Sequence, residues 1–382
     1  MRPTQNRISH RYHAPDYILV AVLALIVFLG IILLSSASTV IGYERFGDSN
    51  YYLKHQLVYG VLLGAFGFWL AARLDYHLWE KLAVPLLIIT IGLLIVVFIP
   101  GLGLGLKGAN RWINLGGFTL QPAELAKLTF LFYLATWLQK RGEGLKSFSY
   151  GFLPFLVLLG LVAGLIILEP DFSTMLVLCF MAVTVFFIAG ANLVHVTWLG
   201  GASVGLFLLL IKIAPYRAAR FTVFLHPEVD PQGIGYHINQ ALLAIGSGGL
   251  FGLGLGHSRQ KYNYLPEAAG DSIFAVIAEE LGFIFCLFLI VLFVVLMIRG
   301  FKIARQAPDA FGKYVAVGIV TWISFQAFFN IAAMVGVVPI SGIPLPFISH
   351  GSTAIVTSLT AMGVLVNISR QGQAVVSTSR KR

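Results

Sequence analysis

Long apolar stretches separated by short polar turns set the pattern of this chain. A helix that crosses a hydrocarbon core roughly 30 Å thick needs about 20 apolar residues. Runs of that kind recur near 17–38, 55–73, 82–100, 122–139, 150–168, 172–190, 194–214, 272–298, 314–338 and 352–368. They predict an all-α integral membrane protein of about ten transmembrane helices, with both termini on one side. Residues 1–16 precede this membrane domain of 17–368, and a basic tail, 369–382, follows it.

One connection breaks the pattern. Residues 215–271 form a link far longer than the roughly 12–15 residues beyond which a structureless loop is unusual. The link holds an apolar stretch, Ile238–Leu255, that includes the glycine-rich run Gly246-Ser247-Gly248-Gly249-Leu250-Phe251-Gly252-Leu253-Gly254-Leu255-Gly256. This predicts a helix followed by tight backbone turns at the membrane surface.

Charge orients the bundle. With cytoplasmic termini, the inner segments collect Arg73, Lys81, Lys140, Arg141, Lys146, Arg299, Lys302, Arg305, Lys313 and the basic residues of both ends. That is more than half of the 26 Lys and Arg, in accord with the excess of cations on cytoplasmic loops. The long link between the seventh and eighth spans is then extracytoplasmic. Most remaining cations gather at two outer places: Lys107, Arg111 and Lys127, and then Lys212, Arg217, Arg220, Arg259 and Lys261. They are either solvated loop residues with snorkelling side chains or the wall of a recessed site for an anion. The first apolar run follows Arg2, Arg7 and Arg11. It exceeds the roughly 7–15 residues of a signal-peptide core and is expected to be retained, although Ser35-Ser36-Ala37-Ser38 keeps cleavage open.

Composition agrees. The chain is 58% hydrophobic and 11% charged, against about 25% charged in soluble proteins. The net charge of +10 is scattered among apolar runs, which argues against nucleic acid as a partner. Cys179 and Cys286 sit inside apolar runs and read as small buried side chains. No metal-ligand spacing or phosphate-cradling glycine loop is present.

Ionisable residues near membrane depth are the candidates for chemistry. In Gln121-Pro122-Ala123-Glu124-Leu125-Ala126-Lys127, Pro122 suits the first helical position, and Glu124 and Lys127 share a face. They are either an internal ion pair or one wall of a cavity. In Glu169-Pro170-Asp171, Pro170 predicts extended geometry for Glu169, and Asp171 suits the first turn of the next helix. Asp271, at the outer mouth of the eighth span, is an N-cap or a general base. Glu279 and Glu280 lie about two turns deeper and must be paired, protonated or wet. The last outer turn, with Pro339, Pro344, Pro346 and Ser349, is expected to be rigid and non-helical. Its His350 is placed to titrate near neutral pH or to act as a structural hydrogen-bonder.

Taken in order, these pieces resemble the SEDS family (shape, elongation, division and sporulation), in its FtsW and SpoVE branch. The matching segments are Gly108-Ala109-Asn110-Arg111-Trp112-Ile113, Gln121 to Lys127, Glu169-Pro170-Asp171-Phe172, and Gly248 to Gly256. Lys261-Tyr262-Asn263-Tyr264-Leu265-Pro266-Glu267, Asp271 to Gly282, and Leu345-Pro346-Phe347-Ile348-Ser349 complete the set. The resemblance implies a peptidoglycan glycosyltransferase of the bacterial cytoplasmic membrane, with its active site on the extracytoplasmic side. It would polymerise lipid II onto a nascent glycan strand beside a class B penicillin-binding protein and other division proteins, within membrane lipid. It further implies Asp271 as the base, and Arg111, Gln121, Glu124, Lys127, Arg220, Lys261 and Ser349 as substrate or pyrophosphate contacts. Glu169, Asp171, Glu267, Glu279 and Glu280 would support them. No cofactor is implied, though Mg or Mn could arrive with the pyrophosphate. Two places depart from the family pattern: Gly270 stands where Thr is common, and Ser349-His350-Gly351-Ser352-Thr353-Ala354 replaces Ser-Tyr-Gly-Gly-Ser-Ser. A lipid II flippase and a non-catalytic division scaffold are the alternatives.

Overall fold

The computed structural model describes residues 14–101, 103–106, 109–114, 116, 118–201, 205, 222–224 and 233–376. Helix α1, Tyr17–Ala37, starts at Asp16, whose carboxylate accepts from the Leu19 N–H at 3.0 Å and pairs with Arg299. Next come α2, Thr39–Phe46, α3, Tyr51–Arg73, and α4, His77–Val96. Three short strands follow: β1, Gly103–Leu106, β2, Ala109–Asn114, and β3, Thr119–Leu120. The remaining helices are α5, Pro122–Arg141, α6, Phe148–Leu168, α7, Phe172–Ile188, α8, Ile234–Gly248, α9, Ile273–Gln306, α10, Ala310–Met334, and α11, Ser352–Val376.

Seven of these (α1, α3, α4, α6, α9, α10 and α11) are long and apolar enough to cross a membrane. They coincide with seven of the expected spans. The chain is a multi-pass membrane protein. Helix α7 is apolar but has 17 residues, and α5, with 20, stands at the fourth expected span. Of the expected span at 194–214, residues 193–201 are helical and most of the rest lies outside the described residues, as do residues 215–221 and 225–232 of the 215–271 link.

Helix α5 carries charge because it sits inside protein. Its buried residues run from Pro122 to Leu138 and include Glu124 and Lys127. Helices α10 and α11 are its inner companions, with 78% and 83% of their most apolar stretch buried, against 22% for α3 and α4. Lipid is as apolar as a core side chain, so helices associate here by close packing rather than by escape from water. Helices α3 and α11 meet closely: a Cβ on Gly363 would lie 2.4 Å from the Phe68 carbonyl oxygen.

Two features depart from the sequence expectation. The all-α reading omits an antiparallel sheet of order β1-β2-β3. Its signal was the two-residue alternation Gly103-Leu104-Gly105-Leu106. The second departure is a break in α9 at Gly282, where φ is 75° and ψ is −177°. The glycine-rich run fills that break. The Leu253 and Gly254 N–H groups donate to the Glu279 and Glu280 carbonyls at 3.0 and 2.9 Å. The Phe283 and Ile284 N–H groups donate to the Gly249 and Leu250 carbonyls at 2.9 and 3.2 Å. The tight turns expected after α8 are therefore present and serve as the partner of a broken helix.

A Cβ at Gly282 would lie 2.4 Å from the Gly252 nitrogen, in a backbone region open essentially to glycine alone. Gly282→Ala is expected to cost about 1–3 kcal/mol from backbone strain alone, and more from the clash. It should lower the thermal midpoint of the detergent-solubilised protein. An unchanged midpoint would contradict this account of the break.

Candidate active site

Asp271 lies just ahead of α9. The helix begins at Ile273 and its N-cap is Ser272, so Asp271 does not hold the capping position expected for it. Ser272 is turned elsewhere: its hydroxyl donates to the Pro266 carbonyl at 2.7 Å and contacts His237 Nε2 at 2.6 Å. The backbone leading into α9 is held by three consecutive carbonyls. The Ala269 oxygen accepts from the His350 N–H at 2.9 Å, the Gly270 oxygen from Ser349 Oγ at 2.7 Å, and the Asp271 oxygen from Asn330 Nδ2 at 2.7 Å. Ser349 Oγ also accepts from the Leu345 N–H at 2.8 Å. Gln56 joins this turn from α3, donating to the Ser349 carbonyl at 3.0 Å. Glu267 contributes through its backbone, its carbonyl accepting from the Gly270 and Ser272 N–H groups at 2.8 and 3.2 Å.

The Glu124–Lys127 pair forms as expected, with Nζ 2.8 Å from Glu124 Oε1 and both side chains buried. Lys127 Nζ also donates to Gln326 Oε1 at 3.2 Å and lies 4.7 Å from the centroid of the Trp322 ring. A cavity lined by Glu124, Lys127, Ser173, Gln326, Ile343 and Pro344 adjoins this pair. Gly342, next to the lining residue Ile343, lies between this cavity and Asp271: a Cβ on it would be 3.5 Å from Asp271 Oδ2 and 3.9 Å from Ser173 Oγ. Asp271 and the buried ion pair thus share the 341–344 turn.

Arg111, on β2, donates to the Glu169 carbonyl through Nε at 2.9 Å and to the Pro170 carbonyl through Nη2. Glu169 lies at φ −79° and ψ 17°, in place of the extended geometry expected from the proline. Asp171 is the N-cap of α7. It accepts from the Thr174 N–H at 3.1 Å, and also from Gln121 Nε2 at 2.9 Å. The Glu169 carboxyl is fully buried, and neither oxygen has a hydrogen-bond partner. Burial, then the nearby Asp171 charge, push it up to about 8, against a smaller opposing pull from Arg111.

Lys261, Glu279 and Glu280 make a separate network. Glu280 takes Lys261 Nζ at 2.9 Å and Ser36 Oγ at 2.7 Å. Glu279 accepts the Arg259 N–H at 3.0 Å, the Gln260 N–H at 3.3 Å and the Ser258 hydroxyl. Glu280 is therefore paired with a cation and Glu279 is held by hydrogen bonds, and both fasten the 258–261 loop to α9. Arg220 lies outside the described residues. His350 packs against Tyr52 and His55, and burial with the neighbouring His55 pushes it down to about 4. It is neutral at pH 7 rather than titrating there. Sequence reasoning missed Gln326 and Asn330. Their signal was two amides four residues apart inside an apolar span.

The cell cycle protein family FtsW/RodA/SpoVE matches residues 16–374. This chain belongs to that family. It is 40% identical over 354 residues to the probable peptidoglycan glycosyltransferase FtsW of Trichlorobacter lovleyi, covering 93% of each chain. It is 40% identical over 357 residues to stage V sporulation protein E of Bacillus subtilis, covering 94% of this chain and 97% of that one. Among solved structures, a chain from a peptidoglycan synthase complex that coordinates polymerisation and cross-linking has a TM-score of 0.78 at 28% identity. That match covers 94% of this chain and 99% of the other. The rod shape-determining protein RodA of Thermus thermophilus matches with a TM-score of 0.69 at 28% identity, covering 96% and 98%.

In this FtsW/RodA/SpoVE-family chain, Glu169 sets a pH dependence of stability. Its folded value of about 8 stands above its ordinary 4.5, so the folded state holds an extra proton between the two. The resulting contribution is complete below pH 4.5 and is lost as pH rises through about 8. Glu169→Gln keeps the neutral shape. Its thermal midpoint should fall less than that of the wild type between about pH 5 and 9. Parallel curves would remove Glu169 from the account.

Proposed function

We propose that this protein is a peptidoglycan glycosyltransferase that polymerises lipid II into glycan strands, with inversion, using Asp271 as general base. Support comes from membership of a family whose relatives carry that name, and from one local observation. Asp271 stands outside the helix cap, on a backbone held at three successive carbonyls, beside a cavity that contains the Glu124–Lys127 pair. In this reading the Asp271 carboxylate takes the proton of the acceptor sugar hydroxyl. The hydroxyl oxygen forms a bond to the donor anomeric carbon. The bond from that carbon to the phosphate oxygen breaks, and its electron pair leaves with undecaprenyl pyrophosphate.

Lys127 is the cavity cation for the pyrophosphate, helped by Arg111 on β2; any Mg or Mn would arrive with the substrate. Lys261 acts by holding its loop against Glu280, and the exposed Arg259 beside it presents the loop charge. Cation placement orients the site toward the extracytoplasmic face of a bacterial cytoplasmic membrane. The likeness to a chain from a synthase complex supports a class B penicillin-binding protein as partner. FtsW and stage V sporulation protein E relatives at 40% identity favour the division and sporulation branch. The broken helix α9 is a feature transporters also use, so lipid translocation is the second reading.

Asp271→Asn keeps shape and removes the base. Strand synthesis from labelled lipid II by purified protein with its partner should fall about 10²–10⁴-fold, the usual loss for a general base, with folding and partner binding retained. Full activity in this variant would sink the base assignment. A wild type that moves lipid II across vesicle membranes without making strands would establish translocation instead.

A further inference from the structure

Two amides on α10 connect the buried ion pair to Asp271. Gln326 and Asn330 lie four residues apart on one helical face, and both are almost wholly buried. Gln326 Oε1 accepts from Lys127 Nζ at 3.2 Å and from Trp322 Nε1 at 2.9 Å, while its Nε2 donates to the Pro344 carbonyl at 3.0 Å. Asn330 Nδ2 donates to the adjoining Ile343 carbonyl and to the Asp271 carbonyl, each at 2.7 Å. The orientation of both amides is fixed by their neighbours. Two N–H donors converge on the Gln326 oxygen, and carbonyls, which only accept, face both amide nitrogens. The result is one path: Glu124, Lys127, Gln326, Pro344, Ile343, Asn330, Asp271.

We propose that Gln326 and Asn330 are positioning residues for glycosyl transfer, setting the Asp271 backbone in register with the Lys127–Glu124 pair through the 343–344 turn. The proposal rests on the polymerase reading. Neither side chain acts on a reacting atom. Each fixes a group that does. A buried leucine would pack in the Asn330 space, yet it would leave the Asp271 and Ile343 carbonyls without this donor. The intervening turn could then shift relative to Asp271, and a displacement of about 1 Å in a reacting geometry is enough to cost roughly 10²-fold in rate.

The test uses Asn330→Leu, Gln326→Met and the double variant in the full-length protein with its partner. Strand synthesis is measured across lipid II concentrations, beside thermal midpoints. Each single variant should lose about tenfold to a hundredfold in kcat per folded protein, with KM within about twofold and a midpoint that is lowered but stays above the assay temperature. The double variant should lose little more than the worse single, because one path has been cut twice. If Asn330→Leu does not fold, the flexible Gln326→Met carries the kcat and KM test alone. Unchanged kcat would overturn the proposal. So would a loss matched by a falling folded fraction, a loss confined to KM, or full additivity in the double variant. A wild type that makes no strands overturns the polymerase reading, and this inference with it. An active wild type with equally active variants overturns this inference alone.

Discussion

A peptide group left without a hydrogen-bond partner at membrane depth costs several kcal/mol, and this chain interrupts its helices at several places. Every interruption described above is therefore filled by protein. The gap at Gly282 takes the backbone of the glycine-rich run. The turn after α10 takes the Gln326 and Asn330 amides. The bend between α6 and α7 takes the Arg111 guanidinium. These partners come from distant parts of the sequence, so satisfying the backbone also draws α3, α5, α9, α10 and the sheet around one end of the bundle.

The buried charges obey the same constraint more severely. A buried ion pair is a weak source of net stability, because desolvation offsets the attraction, but removing one partner typically costs about 3–5 kcal/mol. Lys127 and Lys261 each have a carboxylate at hydrogen-bond distance together with further neutral partners. Each pair therefore locks geometry more than it adds stability. The two locks differ in place. Lys127 borders the cavity beside the 341–344 turn, whereas Lys261 ties the 258–261 loop to α1 and α9. A cation shared between a carboxylate and an amide can be reoriented with little backbone movement. A cation held by a carboxylate, a hydroxyl and the Gly256 carbonyl inside a loop cannot.

Much of the bundle was legible because a helix crossing hydrocarbon announces itself by length and composition. The Glu124–Lys127 pair was legible for a local reason, since three-residue spacing on a helix dictates contact. The rest depends on tertiary partners. Asp271 reads as a cap until Ser272 is seen bound to Pro266 and His237. Glu169 reads as extended until Arg111 claims its carbonyl. Glu279 and Glu280 read only as deep carboxylates in need of partners, protons or water until the 258–261 loop folds onto them. Gln326 and Asn330 read as two amides on one face of an apolar span, and only the arrival of the 343–344 turn shows their partners.

The two departures from the family pattern follow from which atoms are used. At position 270 the contact is made by the backbone: the Gly270 carbonyl accepts from Ser349 Oγ. A Cβ there would find its nearest neighbour, Glu267 Oε2, at 3.4 Å, so the site accepts a side chain but does not need one. At position 350 the contact is again backbone, the His350 N–H donating to the Ala269 carbonyl, while the imidazole packs edge-on against Tyr52 as another aromatic ring could. Ser349, which supplies a side-chain hydroxyl to the Gly270 carbonyl, keeps the family residue. At position 353 the contact is made by the side chain, Thr353 Oγ1 accepting from the Gln121 N–H at 3.2 Å and donating to the Thr119 carbonyl at 2.9 Å, contacts that a serine hydroxyl in its place could also make.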